Sequence, residues 1–222
     1  MAAADQTAAA CVKAFSEVKM KLFYSTSSPF ARKVRIVARE KGLLPVVVEI
    51  ECNPFANPVE LRQVNRLSKV PTLLTEGLAL YDSPVICEYL DSLAEHPRLV
   101  PVKGFDRWLV LRAQSLADGL LDIAVALTLE ERRPEKEQSA SVMKRWREQI
   151  QGALDAMHSQ STKVSRSITL GHIAFGAALG YLDFRHPEMR WREGRSALAE
   201  WFEAFAKRDS MTQTIPSDQS YR

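Results

Sequence analysis

Two short runs of Leu, Thr, Ala and Tyr, Thr72 to Thr75 and Leu78 to Tyr81, are split by Glu76-Gly77. An acidic residue followed by glycine between such runs predicts a tight hairpin turn. The second run leads into Asp82-Ser83-Pro84, where Ser83 as N-cap and Pro84 at the first helical position predict a helix start. In the helix expected from Val85 to Leu93, Ile86, Tyr89, Leu90 and Leu93 fall on one face. Upstream, Lys21 to Tyr24 reads as a strand and Val46 to Ile50 as a buried one. Between them Ser28-Pro29 starts a helix reaching Lys41, with Phe30, Val34, Val37 and Ala38 at helical spacing and Gly42 as its stop. Arg32, Lys33, Arg35 and Arg39 are assigned mainly to its outer, solvated face. A connection this long and helical predicts parallel strands with a right-handed crossover. Pro58 to Asn65 is expected as a short helix before the hairpin.

After His96-Pro97 and Pro101 no strand pattern survives. Phe105 to Leu129 is apolar on much of its circumference, which predicts a long helix buried from two sides. Val142 to Met157 places Trp146, Ile150, Ala153, Leu154 and Met157 on one face. Thr169 caps a helix that is small and apolar nearly all round, and Ser196 to Lys207 turns Leu198, Trp201, Phe202 and Phe205 inward. The order predicts an N-terminal thioredoxin-like α/β domain (βαβββα) followed by a C-terminal all-α helical bundle. The expected divisions are an extension at 1–19, the α/β domain at 20–95, a linker at 96–103, the helical domain at 104–208 and a polar, turn-rich tail at 209–222.

The 222 residues are 46% hydrophobic and 26% charged, an ordinary balance for a globular protein. A net charge of +3 is too mild to point to nucleic acid, and no apolar run approaches the roughly 18 residues of a membrane span. Cys11, Cys52 and Cys87 form no CxxC pair. Three unpaired cysteines favour reduced thiols in a cytoplasmic setting, without metal or disulfide architecture.

Candidate chemistry gathers at the hairpin. A helix N-terminus offers free N–H groups to a carboxylate, and Asp82 beside it can pair with an ammonium. Together they match an amino-acid head group. Pro71 opens a strand, where a cis bond would turn the Val70 carbonyl and N–H toward an extended ligand; trans is the commoner state. The plainer alternative is a helix cap and a strand start with no ligand.

Val70-Pro71 followed by Asp82-Ser83 resembles the Val-Pro then Glu/Asp-Ser pattern of the glutathione transferases. Ser28-Pro29-Phe30-Ala31-Arg32-Lys33-Val34-Arg35 with Glu40-Lys41-Gly42 is similar to that family's first strand-to-helix turn. The similarity extends over about residues 20 to 216 and is nearest to small bacterial, YibF-like members. It implies glutathione as co-substrate, held by Asp82, Ser83, Val70 and Pro71, with Lys69 as a weaker candidate for its glycine carboxylate. It also implies a homodimer and a small apolar electrophile as acceptor. Ser28 ranks first as the hydroxyl that stabilises the thiolate, Ser27 second and Ser25 a distant third. Phe30, Trp108, Arg112 and Ser115 are the expected acceptor-pocket residues. Asp118 and Asp122 are taken as a polar helix stripe. The absence of Cys from residues 25–28 disfavours a thiol-disulfide reductase. His172 stands where relatives carry Asp, an expected weak point in the helix cap. The alternative to conjugation is a non-catalytic glutathione-binding or protein-docking module of the same fold.

Overall fold

The computed structural model describes residues 19–161 and 167–218. The expected extension at 1–19 therefore lies outside the described residues, save Lys19. Strand β1 (Met20–Tyr24), helix α1 (Pro29–Glu40) and strand β2 (Val47–Glu51) open the chain. A 3₁₀ turn (Pro54–Ala56) and helix α2 (Val59–Val64) lead to β3 (Thr72–Thr75), β4 (Leu78–Leu80) and α3 (Ser83–Ser92). The sheet order is β2-β1-β3-β4, with β1 and β2 parallel and the other pairs antiparallel. Glu76 (φ 45°) and Gly77 (φ 79°) both take the left-handed conformation that a two-residue hairpin of this twist requires. This is the predicted thioredoxin-like arrangement. β2 is less buried than expected, because it lies at the sheet edge.

The remaining elements are helical: α4 (Phe105–Glu131), α5 (Ala140–Ser161), α6 (Leu170–Arg185), α7 (Ser196–Phe205) and α8 (Asp209–Thr212), with 3₁₀ turns at Glu135–Glu137 and Pro187–Met189. α6 is the axis of the bundle, with twelve buried residues running unbroken but for Ile173's neighbour His172. The segment after Asp209 is not merely polar: Ser210 and Met211 are buried, and α8 packs on α1. Thr169 caps α6 as predicted, and His172 completes a capping box. Its Nδ1 accepts from the Thr169 N–H at 3.2 Å. The expected weakness is absent because burial lowers the His172 pKa and keeps the ring neutral, so a ring nitrogen can do a carboxylate's work.

The largest departure from expectation is the basic face of α1. Arg32, Lys33 and Arg35 are buried, since the helical domain covers the side of α1 that the sheet does not. Lys33, with 0% of its side chain exposed, pairs with Asp118 of α4 at 2.6 Å. Asp118 is thus an interdomain anchor rather than part of a solvated stripe. Arg35 and Arg39 converge on Glu49 of β2, and the Arg35 guanidinium lies 4.3 Å from the Tyr24 ring centre. Arg32 enters α6 at Gly180 and donates to the Met211 carbonyl at 3.3 Å. Burial, reinforced by the charge of Arg35, lowers its pKa to about 10. A Cβ on Gly180 would lie 2.2 Å from Arg32 Nη1. Lys41 reaches Asp91 at 2.9 Å, and Asp91 accepts from the N–H groups of Leu99 and Val100, which pins the linker to the α/β domain.

Removing one member of a buried pair leaves the other as an uncompensated charge, at a cost of about 3–5 kcal/mol. Asp118→Ala is therefore expected to lower the unfolding free energy by that order, while the double substitution Lys33→Met with Asp118→Leu recovers most of the loss. Equal stability of Asp118→Ala and wild type in urea titrations would contradict this account of the domain seam.

Candidate functional site

A cleft of about 430 Å³ opens between the two domains. One wall is the β1–α1 turn, with Ser25, Ser27, Ser28, Pro29 and Phe30; Lys69 and Val70, just before β3, border it. Ser28 is the N-cap of α1. Its Oγ accepts from the Ala31 N–H at 3.2 Å, which leaves the hydroxyl hydrogen free to donate to a ligand atom. Ser27 Oγ lies 3.1 Å from Ser25 Oγ, so its hydroxyl has a partner inside the turn. Either hydroxyl of that Ser25–Ser27 pair can be the donor, and both Ser27 and Ser28 line the cleft.

Asn65, buried and overlooked in the sequence, shapes the second edge. Its amide donates to Thr72 Oγ1 at 2.9 Å and to the Lys69 carbonyl at 3.3 Å, and Thr72 Oγ1 donates to the same carbonyl at 2.8 Å. This brace holds Lys69, Val70 and the buried Pro71 against the sheet. The Val70-Pro71 peptide is cis. A single Asn in a short helix carries no sequence signal for such a role.

Asp82 and Ser83 stand at the start of α3, shifted one place from expectation: Asp82 is the N-cap, Ser83 the first helical residue and Pro84 the second. Asp82 is exposed and makes no side-chain cap bond. Ser83 is buried, and its Oγ has no hydrogen-bond partner. A buried hydroxyl without a partner, at a helix end with free N–H groups, is a ready seat for an anionic group. The two residues do not line the cleft itself, but the Asp82 charge reaches Asp122, which does. Burial, with Asp118 and Asp82 adding to it, raises the Asp122 pKa against the pull of Lys69 and Lys33.

The apolar wall comes from α4, at a different height from the one predicted. Asp122, Val125, Ala126 and Leu129 face the cleft, joined by Arg132, Tyr181 and Arg185 at its floor. Trp108, Arg112 and Ser115 do not line it; Trp108 is 64% exposed. Residues 108, 115, 122 and 129 recur every seven positions, so Trp108 and Ser115 share a helix face with Asp122 and Leu129. The error is about two turns, roughly 10 Å between Ser115 and Asp122, because nothing in the sequence says where along α4 the α/β domain docks. Tyr181 and Arg185, four apart on α6, form a pair whose spacing is visible but whose partner α4 is not. Phe30 does line the cleft.

The chain's end crosses the same region. Ser217 accepts from Thr26 Oγ1 at 3.1 Å, and Arg185 Nη1 pairs with Asp218 at 2.9 Å. A wider hollow of about 640 Å³ lies on the far side, between the end of α1 and α8. Three of its lining residues engage one another: Glu40 binds Arg208 and Ser210. Of the described cysteines, Cys87 is fully buried with its thiol pushed up to about 12, and burial also raises Cys52; neither lines the cleft.

This combination of a thioredoxin-like half, an all-α half and a serine turn facing an interdomain cleft defines a class. Residues 22–98 match the glutathione S-transferase N-terminal domain, and residues 140–204 match the glutathione S-transferase C-terminal domain. An uncharacterized GST-like protein of Escherichia coli K12, YibF, is 34% identical over 202 residues, covering 89% of this chain and 98% of the relative. A stringent starvation protein A homologue of Haemophilus influenzae is 28% identical over 88% of this chain and 90% of its own. The crystal structure of a glutathione S-transferase from Methylobacillus flagellatus with glutathione bound superposes with a TM-score of 0.84 at 37% identity, covering 90% of this chain and all of that one. A glutathione transferase family member from Pseudomonas fluorescens Pf-5 with bound glutathione gives 0.86 at 34% over the same shares. The chain belongs to the glutathione S-transferase family. Among its described residues, no helix is long and apolar enough to cross a membrane.

Proposed function

We propose that the protein binds glutathione and activates its thiol for conjugation to small apolar electrophiles. The observation that carries this reading is the free hydroxyl hydrogen of Ser28, at the positive end of α1 and on the wall of a cleft whose opposite side is apolar. A thiol of ordinary pKa near 8.5 is mostly protonated at neutral pH. A donated hydrogen bond and a helix N-terminus both favour the thiolate, so Ser28 acts as an activator, neither nucleophile nor base. The orphaned Ser83 hydroxyl and the exposed Asp82 suit the carboxylate and ammonium of the γ-glutamyl head. Lys69 suits the glycine carboxylate. Glutathione bound in the two bacterial structures named above supports the same ligand here.

A docking module is the second reading, favoured by the relatives whose names refer to stringent starvation and to no transferase. The unengaged hydroxyls of Ser28 and Ser83 weigh against it, since docking to a protein requires neither. Calorimetric titration separates the two: Asp82→Asn with Ser83→Ala is expected to weaken glutathione binding by more than tenfold. Unchanged affinity in the double variant would remove the head-group site, and no binding by wild type would leave the module.

Ser28→Ala is expected to raise the pKa of bound glutathione and to slow conjugation at neutral pH, with backbone binding little changed. Loss of one hydrogen bond to a charged group costs about 1.5–3 kcal/mol, a rate decrease of roughly 10- to 150-fold, partly recovered at higher pH. The pH dependence of thiolate absorbance is the measurement; a larger shift in Ser27→Ala would reverse the ranking.

The misplaced Trp108 has its own use in this reading. Phe105, Trp108 and Leu109 stand exposed in the first turns of α4, which an Arg107–Glu88 ion pair ties to α3. We assign this apolar face to a homodimer contact. Trp108→Glu is expected to shift the sedimenting species from dimer to 25 kDa monomer; a monomeric wild type at micromolar concentration would exclude it.

A further inference from the structure

At the far end of α6, His186 accounts for only one of its two ring nitrogens. The residue caps the helix, its N–H donating to the Leu182 carbonyl at 2.8 Å, and its ring is fully buried against α4. Nε2 lies 3.1 Å from the Ala124 carbonyl and 2.9 Å from Thr128 Oγ1. A carbonyl only accepts, so Nε2 carries the ring hydrogen and Nδ1 of the neutral ring holds a lone pair. Nδ1 is buried without a hydrogen-bond partner. It faces two carboxylates instead, Glu188 Oε1 at 3.5 Å and Glu131 Oε2 at 3.7 Å. All three ligand atoms fall within 4.8 Å of one another.

A lone pair turned toward two anions is an electrostatic deficit that a cation removes. A proton on Nδ1 would supply charge, but charge-assisted bonds to carboxylate run about 2.7–2.9 Å, well inside the distances here. A zinc ion holds its nitrogen and oxygen donors at about 2.0–2.2 Å in a tetrahedron, which sets neighbouring donors about 3.3–3.5 Å apart. The two nitrogen–oxygen spacings are within a few tenths of that. We propose that His186 Nδ1, Glu131 and Glu188 form a site for a divalent transition-metal ion, zinc foremost. The surroundings have the form of an outer shell: the Nε2–H is held by a backbone carbonyl, and Arg147 holds the other oxygen of Glu131 at 2.6 Å. One imidazole with two carboxylates favours zinc and its neighbours over magnesium or calcium. Exposed Glu188 leaves room for a water as fourth ligand. The ion would join the last residue of α4 to the cap of α6 and the 3₁₀ turn beyond it. That junction lies behind Thr128 and Tyr181, whose hydroxyls are 3.1 Å apart and which both line the cleft. The site is therefore structural, a brace behind the cleft floor, and it stands independently of any glutathione chemistry.

The test is calorimetry and thermal unfolding of the tag-free full chain, stripped with chelator and titrated with zinc chloride. Wild type is expected to bind one zinc ion and to gain in Tm. Glu188→Ala, exposed and remote from the core, is expected to lose at least about 100-fold in affinity and the Tm gain, and Glu131→Gln likewise. Cobalt in place of zinc is expected to show the visible bands of a four-coordinate ion in wild type alone. No saturable zinc binding up to millimolar metal would overturn the proposal. So would equal zinc affinity in Glu188→Ala, which would place the ion on another histidine or cysteine, or an His186 ring that NMR shows protonated and indifferent to zinc.

Discussion

The contact between Lys33 and Asp118 sets the geometry on which the cleft depends. A buried ammonium tolerates little displacement from its carboxylate, because neither charge has water to fall back on. Lys33 sits just over one turn along α1 from Ser28, and Asp118 one turn along α4 from Asp122. Fixing the pair therefore fixes the distance between the hydroxyl turn and the apolar wall. The insertion of Arg32 at Gly180 and the Lys41–Asp91 clamp on the linker act in the same direction. The α/β half and the helical half meet through buried cations of one helix, and the cleft is what remains open at the end of that seam.

How much of this was legible depends on how local each cause is. Ser28-Pro29, Glu76-Gly77 and Thr169 act on backbone within a few residues, and the elements they predict are present with shifts of a residue or two. Arg32 and Lys33 of α1 were misread for the opposite reason. Their burial is caused by α6 and α4, which lie some 80 to 150 residues later in the chain. A helix covered on both sides cannot be told from an amphipathic one by its own period when the second cover brings counter-charges. Asp118 was visible as an acid, but only its partner makes it an anchor. The position of the cleft wall along α4 was missed similarly, since a heptad stripe gives a face and not a position along it. His172 shows the converse: the family's carboxylate is missing, yet a neutral imidazole nitrogen completes the same capping bond.

The family assignment narrows the chemistry without deciding it. The fold carries both relatives named as transferases and relatives named for starvation. What distinguishes a ligand site from a bare scaffold is the state of particular polar atoms: a Ser28 hydroxyl with its hydrogen unspent, and a Ser83 hydroxyl buried with nothing to bond. A buried hydroxyl without a partner, as at Ser83, costs free energy in a protein that does not fill it. The turn also lacks any thiol, since residues 25–28 contain no cysteine.

Gly180 gives the molecule a constraint on its descent. The space where its Cβ would stand is held by Nη1 of Arg32, contributed by the other half of the chain. A side chain at position 180 requires that guanidinium to move. A chimera that joined this α/β half to the helical half of a relative would pass every test of sequence pattern within each half. At the join, any side chain in place of Gly180 would still have to displace the buried Arg32 guanidinium. The two halves resemble separable modules in outline, yet at this point they share one packed site.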